Sequence, residues 1–560
     1  MNQETRSLLA VGLSVAIFVL WYSFLAPKKT QEGQQSQQGQ QGQQGQQPAA
    51  SNNQRTNAPT DQQTNTPTHQ RTNALADPQA GIPIQTTVVE SDLYRVELTN
   101  DGGVPVSWKM KKFTKGNGNG ETFVELISEG AVPLLAGDSS GTLGLPERPR
   151  YEVDVEKEIN GNTKVVYSWT SKGVAFSKTY NFNPNSYAAD LNISVVNKTN
   201  NVLTVPLVLG WSAIQPEAKN RGFLGFLKGP EDIVAPVYFL DGKTLRDPVV
   251  KKEGNLMWGG TESRYFISAI IPRLVGGAIG ISAASEPVES GRKVEANVQP
   301  PALSILPGGQ AIQSFSVYAG PKEITALKSV GVGLEKGIDY GWFSLIAMPI
   351  LYLLKFFYGV ISNYGIAIIL LTVFAKLLMH PLSRHSMKSM KAMQTLQPKL
   401  KELKEKYKND KERINMETMQ LFKAHKVNPM GGCLPMLIQL PIYIALYKVL
   451  WNSIELYRAP FFWFYRDLAS PDPFFIMPAL LGVAMWLQQK LTPSASADPA
   501  QAKMMQIMPI MFTAFMLFLP SGLVLYIFVN TIMGVAQQYM TNHDLRLRDV
   551  LRGRFAPQKI

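Results

Sequence analysis

The 560-residue sequence holds a single cysteine, Cys433. No intrachain disulfide can form, so any exported part of the chain must fold by burial alone. The five histidines (His69, His380, His385, His425 and His543) have no metal-ligand spacing. His380 and His385 are five apart, which fits neither a zincin nor a zinc finger. No GxSxG or HExxH motif occurs. Gly242-Lys243-Thr244 looks like the end of a phosphate loop, but Val237 stands where its first glycine belongs. We therefore expect no enzyme, no metal and no cofactor. The long apolar runs beyond residue 343 contain no Asp or Glu. Proton relays and cation sites within a membrane usually need acidic groups, so an ion pump is disfavoured.

What is present divides the chain sharply. Ser7 to Leu25 is an uncharged, mostly apolar run, near the ~20 residues a helix needs to cross a bilayer. We read residues 1–29 as an uncleaved signal anchor. Residues 31–47 contain 11 glutamines with glycines and little else, and Pro, Thr and Asn continue to about Asp77. Such a composition cannot bury enough apolar surface to fold. Residues 30–81 read as a disordered tether, roughly 40 Å end to end as a coil.

Residues 82–342 change character. Tyr94 to Leu98 alternates apolar and polar side chains, as a half-buried strand does. Lys164–Thr170, Ala175–Asn181, Ala189–Val196 and Ile312–Ala319 are further strands, separated by Asn-Gly, Gly-Asn and Asp-Gly turn signals. The expectation is an all-β sandwich.

From 343 the chain is apolar. Residues 343–362 carry Pro349 and Lys355 and read as an amphipathic helix in the interface, the first part of a 343–383 unit. Gly365–Leu382 crosses the membrane. Spans at 431–453, 474–491, 504–519 and 522–540 make up the 431–540 unit. With the anchor they total six, five of them forming the core. Between them, 384–430 reads as a basic helical hairpin, with Leu396, Leu400, Leu403 and Tyr407 at helical spacing and a turn at Asn409-Asp410. It carries twelve Lys/Arg against five Asp/Glu, and the tail 541–560 five against two. The positive-inside rule puts both in the cytoplasm, with the N-terminus inside and the β-domain outside.

Lys376 is the most informative residue. A charge within a span costs roughly 2.5–3.5 kcal/mol even on the lenient insertion scale, so it faces water or a partner unless it snorkels to the interface. Thr372 lies one turn away on the same face. Gln439 and Asn530 lie at similar depth. They either line a polar cavity with Lys376 or bond helices to one another. Methionines crowd the fifth span (Met504, Met505, Met508, Met511, Met516), which suits either a surface for varied apolar partners or plain core.

The run Asn428-Pro429-Met430-Gly431-Gly432-Cys433-Leu434-Pro435-Met436-Leu437-Ile438-Gln439-Leu440-Pro441-Ile442-Tyr443 resembles the signature of bacterial YidC insertases. So do Gln397-Pro398-Lys399, Pro520-Ser521-Gly522-Leu523-Val524-Leu525-Tyr526 and Gln537-Gln538. The likeness runs the length of the chain, in the Gram-negative form with a large periplasmic domain. It implies an inner-membrane insertase and chaperone, independent of nucleotide hydrolysis, that acts alone or with the Sec translocon and its accessory complex. The other implied partners are nascent integral membrane proteins, membrane lipids and, transiently, the ribosome and the signal-recognition-particle receptor. Lys376, Thr372, Gln439 and Asn530 would form the substrate groove. Pro435, Met436, Phe515, Met516 and Tyr526 would form the surface along which an apolar segment slides. Lys399, Lys401, Lys404, Asp410 and Arg413 would belong to the recruitment hairpin. The family position at 376 is typically arginine, so here the charge is kept but the bidentate fork is lost. Ile527 replaces a second expected tyrosine. The rival readings are a transporter or channel using the same cavity, and an outer-domain enzyme or glycan binder.

Overall fold

The computed structural model describes residues 81–115, 122–138, 140–216, 233–273, 277–407, 410–425, 427, 434–462, 465–491 and 499–543. Residues 1–80, with the anchor and nearly all of the tether, and residues 544–560 of the basic tail lie outside the described residues. The N-terminal half of the described chain is all β. A nine-stranded antiparallel sheet runs through Lys243–Leu245, Ala235–Leu240, Leu256–Glu262, Phe266–Pro272, Gln310–Pro321, Ala188–Asn197, Val174–Phe182, Thr163–Ser171 and Glu152–Lys157. A five-stranded sheet (Val250–Gly254, Ile279–Val288, Gly291–Gln299, Leu207–Pro216, Ala136–Asp138) and a four-stranded one (Thr86–Glu90 to Thr122–Glu125) complete the main layers. Each strand expected from alternation is found, one to four residues longer than read.

The physical reason is visible in Val174–Phe182, where every second side chain is buried and the others are half-buried. The layers meet through aromatic rings: Trp108 of the four-stranded sheet lies 6.1 Å from Trp211 of the five-stranded one and 5.9 Å from Phe182 of the nine-stranded one. Lys172 and Gly173 both take positive φ between two strands, as a tight hairpin turn requires. Asp241-Gly242 does the same, so Gly242-Lys243-Thr244 is a hairpin turn leading into a strand and not a phosphate loop.

One core position breaks the alternation rule. Lys178 points inward from Val174–Phe182 with no exposed surface. Its Nζ donates to the carbonyls of Gly103 at 2.7 Å, Leu134 at 2.8 Å and Gly102 at 3.3 Å. Burial pushes this ammonium down from the ordinary lysine range to about 7.

The rest is helical: α1 Ile324–Val330, α2 Ser344–Ile361, α3 Tyr364–Thr395, α4 Gln397–Lys406, α5 Lys411–Ala424, α6 Leu434–Asn452, α7 Ile476–Leu491, α8 Pro499–Met516 and α9 Ser521–Asn542. Among the described residues three stretches are long and apolar enough to cross a membrane: Gly341–Ile361, Tyr364–Arg384 and Ser521–Asn542. The helix read from sequence as interfacial, α2, thus also has the length and composition of a span. Its Lys355 forms an ion pair with Glu455 at 2.5 Å. Helix α3 does not stop where its apolar run ends. It continues through Pro381 to Thr395 and forms the first part of the basic hairpin.

The β-domain rests on the last turn of α6 and the loop that follows it. The Arg264 guanidinium stacks 3.7 Å from the Trp451 ring and its Nε donates to the Trp451 carbonyl at 2.8 Å. Tyr457 donates to the carbonyl of Thr114 at 2.9 Å and packs against Phe113, Tyr265 and Phe266.

Candidate functional site

Helix α9 carries a polar spine through an otherwise apolar packing. Tyr526, Asn530, Gly534, Gln537 and Thr541 are spaced four, four, three and four residues apart, which places them on one face. At the β-domain end, the Tyr526 and Tyr443 rings meet edge to face at 5.7 Å. One turn on, Gln439 Nε2 donates to Asn530 Oδ1 at 2.9 Å, and Asn530 Nδ2 donates to the Tyr443 hydroxyl at 2.6 Å. This chain joins α6 to α9.

Lys376 belongs to the next turn. A Cβ on Gly534 would stand 2.9 Å from Gln488 Nε2 and 3.9 Å from Lys376 Nζ. The bare glycine is what lets a cation from α3 and an amide from α7 crowd over α9 at this point. Lys376 is half-buried, and among the described residues its Nζ makes no hydrogen bond or ion pair. Thr372, one turn nearer the β-domain, is buried and donates to the Ile368 carbonyl of its own helix at 2.7 Å.

Nearer the hairpin, Gln537 Nε2 donates to His380 Nδ1 at 2.8 Å, and Gln537 Oε1 is buried with no partner among the described residues. Lys391 donates to the Thr541 and Asn542 carbonyls, both at 3.3 Å, where a cation complements the C-terminal end of α9.

Of the four groove residues expected from sequence, then, Gln439 and Asn530 bond directly to each other. Lys376 sits one turn further along α9, and the Thr372 hydroxyl is satisfied within its helix. Of the sliding surface, Tyr526 and Met516 are buried, at 2% and 1% exposure, and Phe515 is half-buried. The side chains of Pro435 and Met436 lie outside the described residues. The open face of α8 is carried instead by Ile507, Met508, Ile510 and Met511. Sequence reading missed Gly534, Gln488, His380 and Gln537 as site residues. The spacing of Asn530, Gly534 and Gln537 on one helix face was the available signal.

The hairpin has a small core of its own, Met393, Leu396, Leu400 and Phe422. Asp410 caps α5 by accepting from the Arg413 backbone N–H at 3.0 Å. The Arg413 guanidinium lies 5.0 Å from the Tyr407 ring. Lys399 Nζ approaches His425 Nε2 at 3.2 Å, Lys401 is exposed and Lys404 is half-buried. Among the described residues no cluster of His, Cys, Asp and Glu has metal-binding geometry.

Two family models match successive parts of the chain: the one described as YidC periplasmic domain over residues 86–353, and the one described as 60Kd inner membrane protein over residues 356–548. A membrane protein insertase YidC of Syntrophus aciditrophicus is 37% identical over 564 aligned residues, covering 96% of this chain and 99% of that protein. Its counterpart in Pelobacter propionicus is 35% identical with the same coverage. Among solved structures, an active YidC insertase with its first transmembrane domain resolved aligns over 82% of this chain and 94% of its own, with a TM-score of 0.37 and 18% identity.

Proposed function

The chain belongs to the YidC family of membrane protein insertases, and from that premise we propose that the spine of α9 receives the polar end of a nascent membrane protein. The basic hairpin faces the cytoplasm under the positive-inside rule. Lys399, Lys401, Lys404, Asp410 and Arg413 present a charged, capped surface there that recruits the substrate. The polar end of the substrate then enters beside Lys376, and its apolar segment moves along α6 and α8 into lipid. Transfer of apolar surface at about 25 cal/mol per Å² supplies the drive, so no nucleotide is consumed. The Sec translocon with its accessory complex, the ribosome and the signal-recognition-particle receptor are the partners this reading calls for.

The observation that carries the proposal is the unpaired half-buried cation over Gly534. A half-buried charge without a partner among the described residues suits a partner that arrives. The mutually bonded state of Gln439, Asn530 and Tyr443, with Asn530 buried, adds a step: α6 must part from α9 for the segment to enter.

Photocrosslinking from Gln439 and Phe515 during synthesis of a short two-span membrane protein tests the reading. Crosslinks to the nascent chain are expected. Their absence with folded protein and ribosomes present would overturn it. Ion flux in liposomes without any peptide would then point to a transporter.

A further inference from the structure

We propose that His380 and Gln537 form a separate receiving subsite, which binds the peptide backbone of the entering segment before that segment reaches Lys376. The inference rests on the insertase reading above.

The first argument is position. Helix α3 runs toward the hairpin, so His380 lies one turn closer to the hairpin end than Lys376, about 6 Å along the axis. Gln537 is displaced in the same sense from Gly534. A segment arriving from the hairpin side meets the His380–Gln537 rung first.

The second argument is chemistry. Gln537 is only 8% exposed, and its Oε1 is without a partner among the described residues, although Nε2 is held by His380. Leaving a buried amide acceptor unmade is costly. If the side chain is turned over, the orphan becomes an N–H donor instead. Either way one arm of a primary amide is available, and an amide matches the N–H or C=O of a peptide bond. Lys376 differs, since an ammonium selects anionic or strongly polar groups. The two rungs therefore divide the work: Gln537 reads backbone irrespective of sequence, and Lys376 reads charge.

The test uses the full chain in proteoliposomes and two substrates, one with acidic residues in its translocated segment and one without. Gln537→Met keeps the volume and removes both amide arms. Insertion of both substrates is expected to fall about tenfold, whereas Lys376→Met impairs the acidic substrate alone. His380→Asn keeps an acceptor near the Nδ1 position and should retain insertion, and His380→Leu should not. A photoreactive residue at Met379, with Gln537 intact, should crosslink the acid-free nascent chain at shorter chain lengths than one at Val373.

Wild-type insertion of the acid-free substrate by Gln537→Met overturns the subsite and leaves the Lys376 reading standing. Crosslinks at neither position would overturn both. If Gln537→Met fails to accumulate, the His380 pair and the order of crosslinking decide the matter, and crosslinks that appear first at Val373 overturn the proposal.

Discussion

Gln439 of α6 donates to Asn530 of α9 at 2.9 Å across 91 residues of sequence, and Asn530 passes the chain on to the Tyr443 hydroxyl. The pair ties the two helices together. Interhelical hydrogen bonds of this kind contribute about 0.6 kcal/mol on average and up to about 1.7. In a double-mutant cycle with Gln439→Leu and Asn530→Leu, unfolding in mixed micelles should return a coupling energy in that range. Strict additivity would show that the bond does not join the helices.

Lys376→Ala should impair insertion of substrates with charged translocated segments most. Lys376→Arg should restore it, because the charge is kept and a fork added. Insertion assays in liposomes with matched charged and uncharged substrates check both. Unchanged insertion of every substrate by the alanine variant would remove Lys376 from the mechanism.

Lys178 makes the stability of the β-domain depend on pH. Its folded value lies near 7, against 10.5 for a free lysine. Between those values the unfolded chain binds more protons than the folded one, so stability rises with pH across that window. It is flat below pH 7 as far as this group is concerned. The slope approaches about 1.4 kcal/mol per pH unit. Lys178→Met should flatten the melting temperature between pH 7 and 10. A slope that survives the substitution would assign the dependence to other groups.

The Lys355–Glu455 pair should show the asymmetry of a shielded ion pair, with side chains 26% and 9% exposed. Lys355→Met leaves Glu455 unpartnered and should destabilise by about 3–5 kcal/mol. Adding Glu455→Gln should recover most of that loss. Thermal unfolding of the two variants in one detergent is the measurement, and equal stability of the single and double variants would contradict it.

Removal of 85–330 should leave insertion largely intact, because the polar spine lies wholly in the helical part. It should still lower the unfolding temperature of that part. Trp451 loses the stacked Arg264, and Tyr457 loses Thr114, Tyr265 and Phe266. An unchanged unfolding temperature would mean that these contacts add nothing to the helical core.

Much of this protein was legible in its residues alone, wherever the signal is local. Alternation along Ala175–Asn181, the Asp-Gly turn at Asp241-Gly242 and the apolar runs each express a preference that neighbours in sequence satisfy. The tertiary structure decided the pairings. That Lys376 turns to the seam at Gly534 and Gln488 while Gln439 takes Asn530 depends on how each helix is rotated and how closely it crosses its neighbours. That Lys178 is the inward lysine of its strand, held by three carbonyls, and that His380 meets Gln537 across 157 residues, follow from the same cause. Periodicity names the face a residue occupies. Only the packed arrangement of several elements supplies what that face meets.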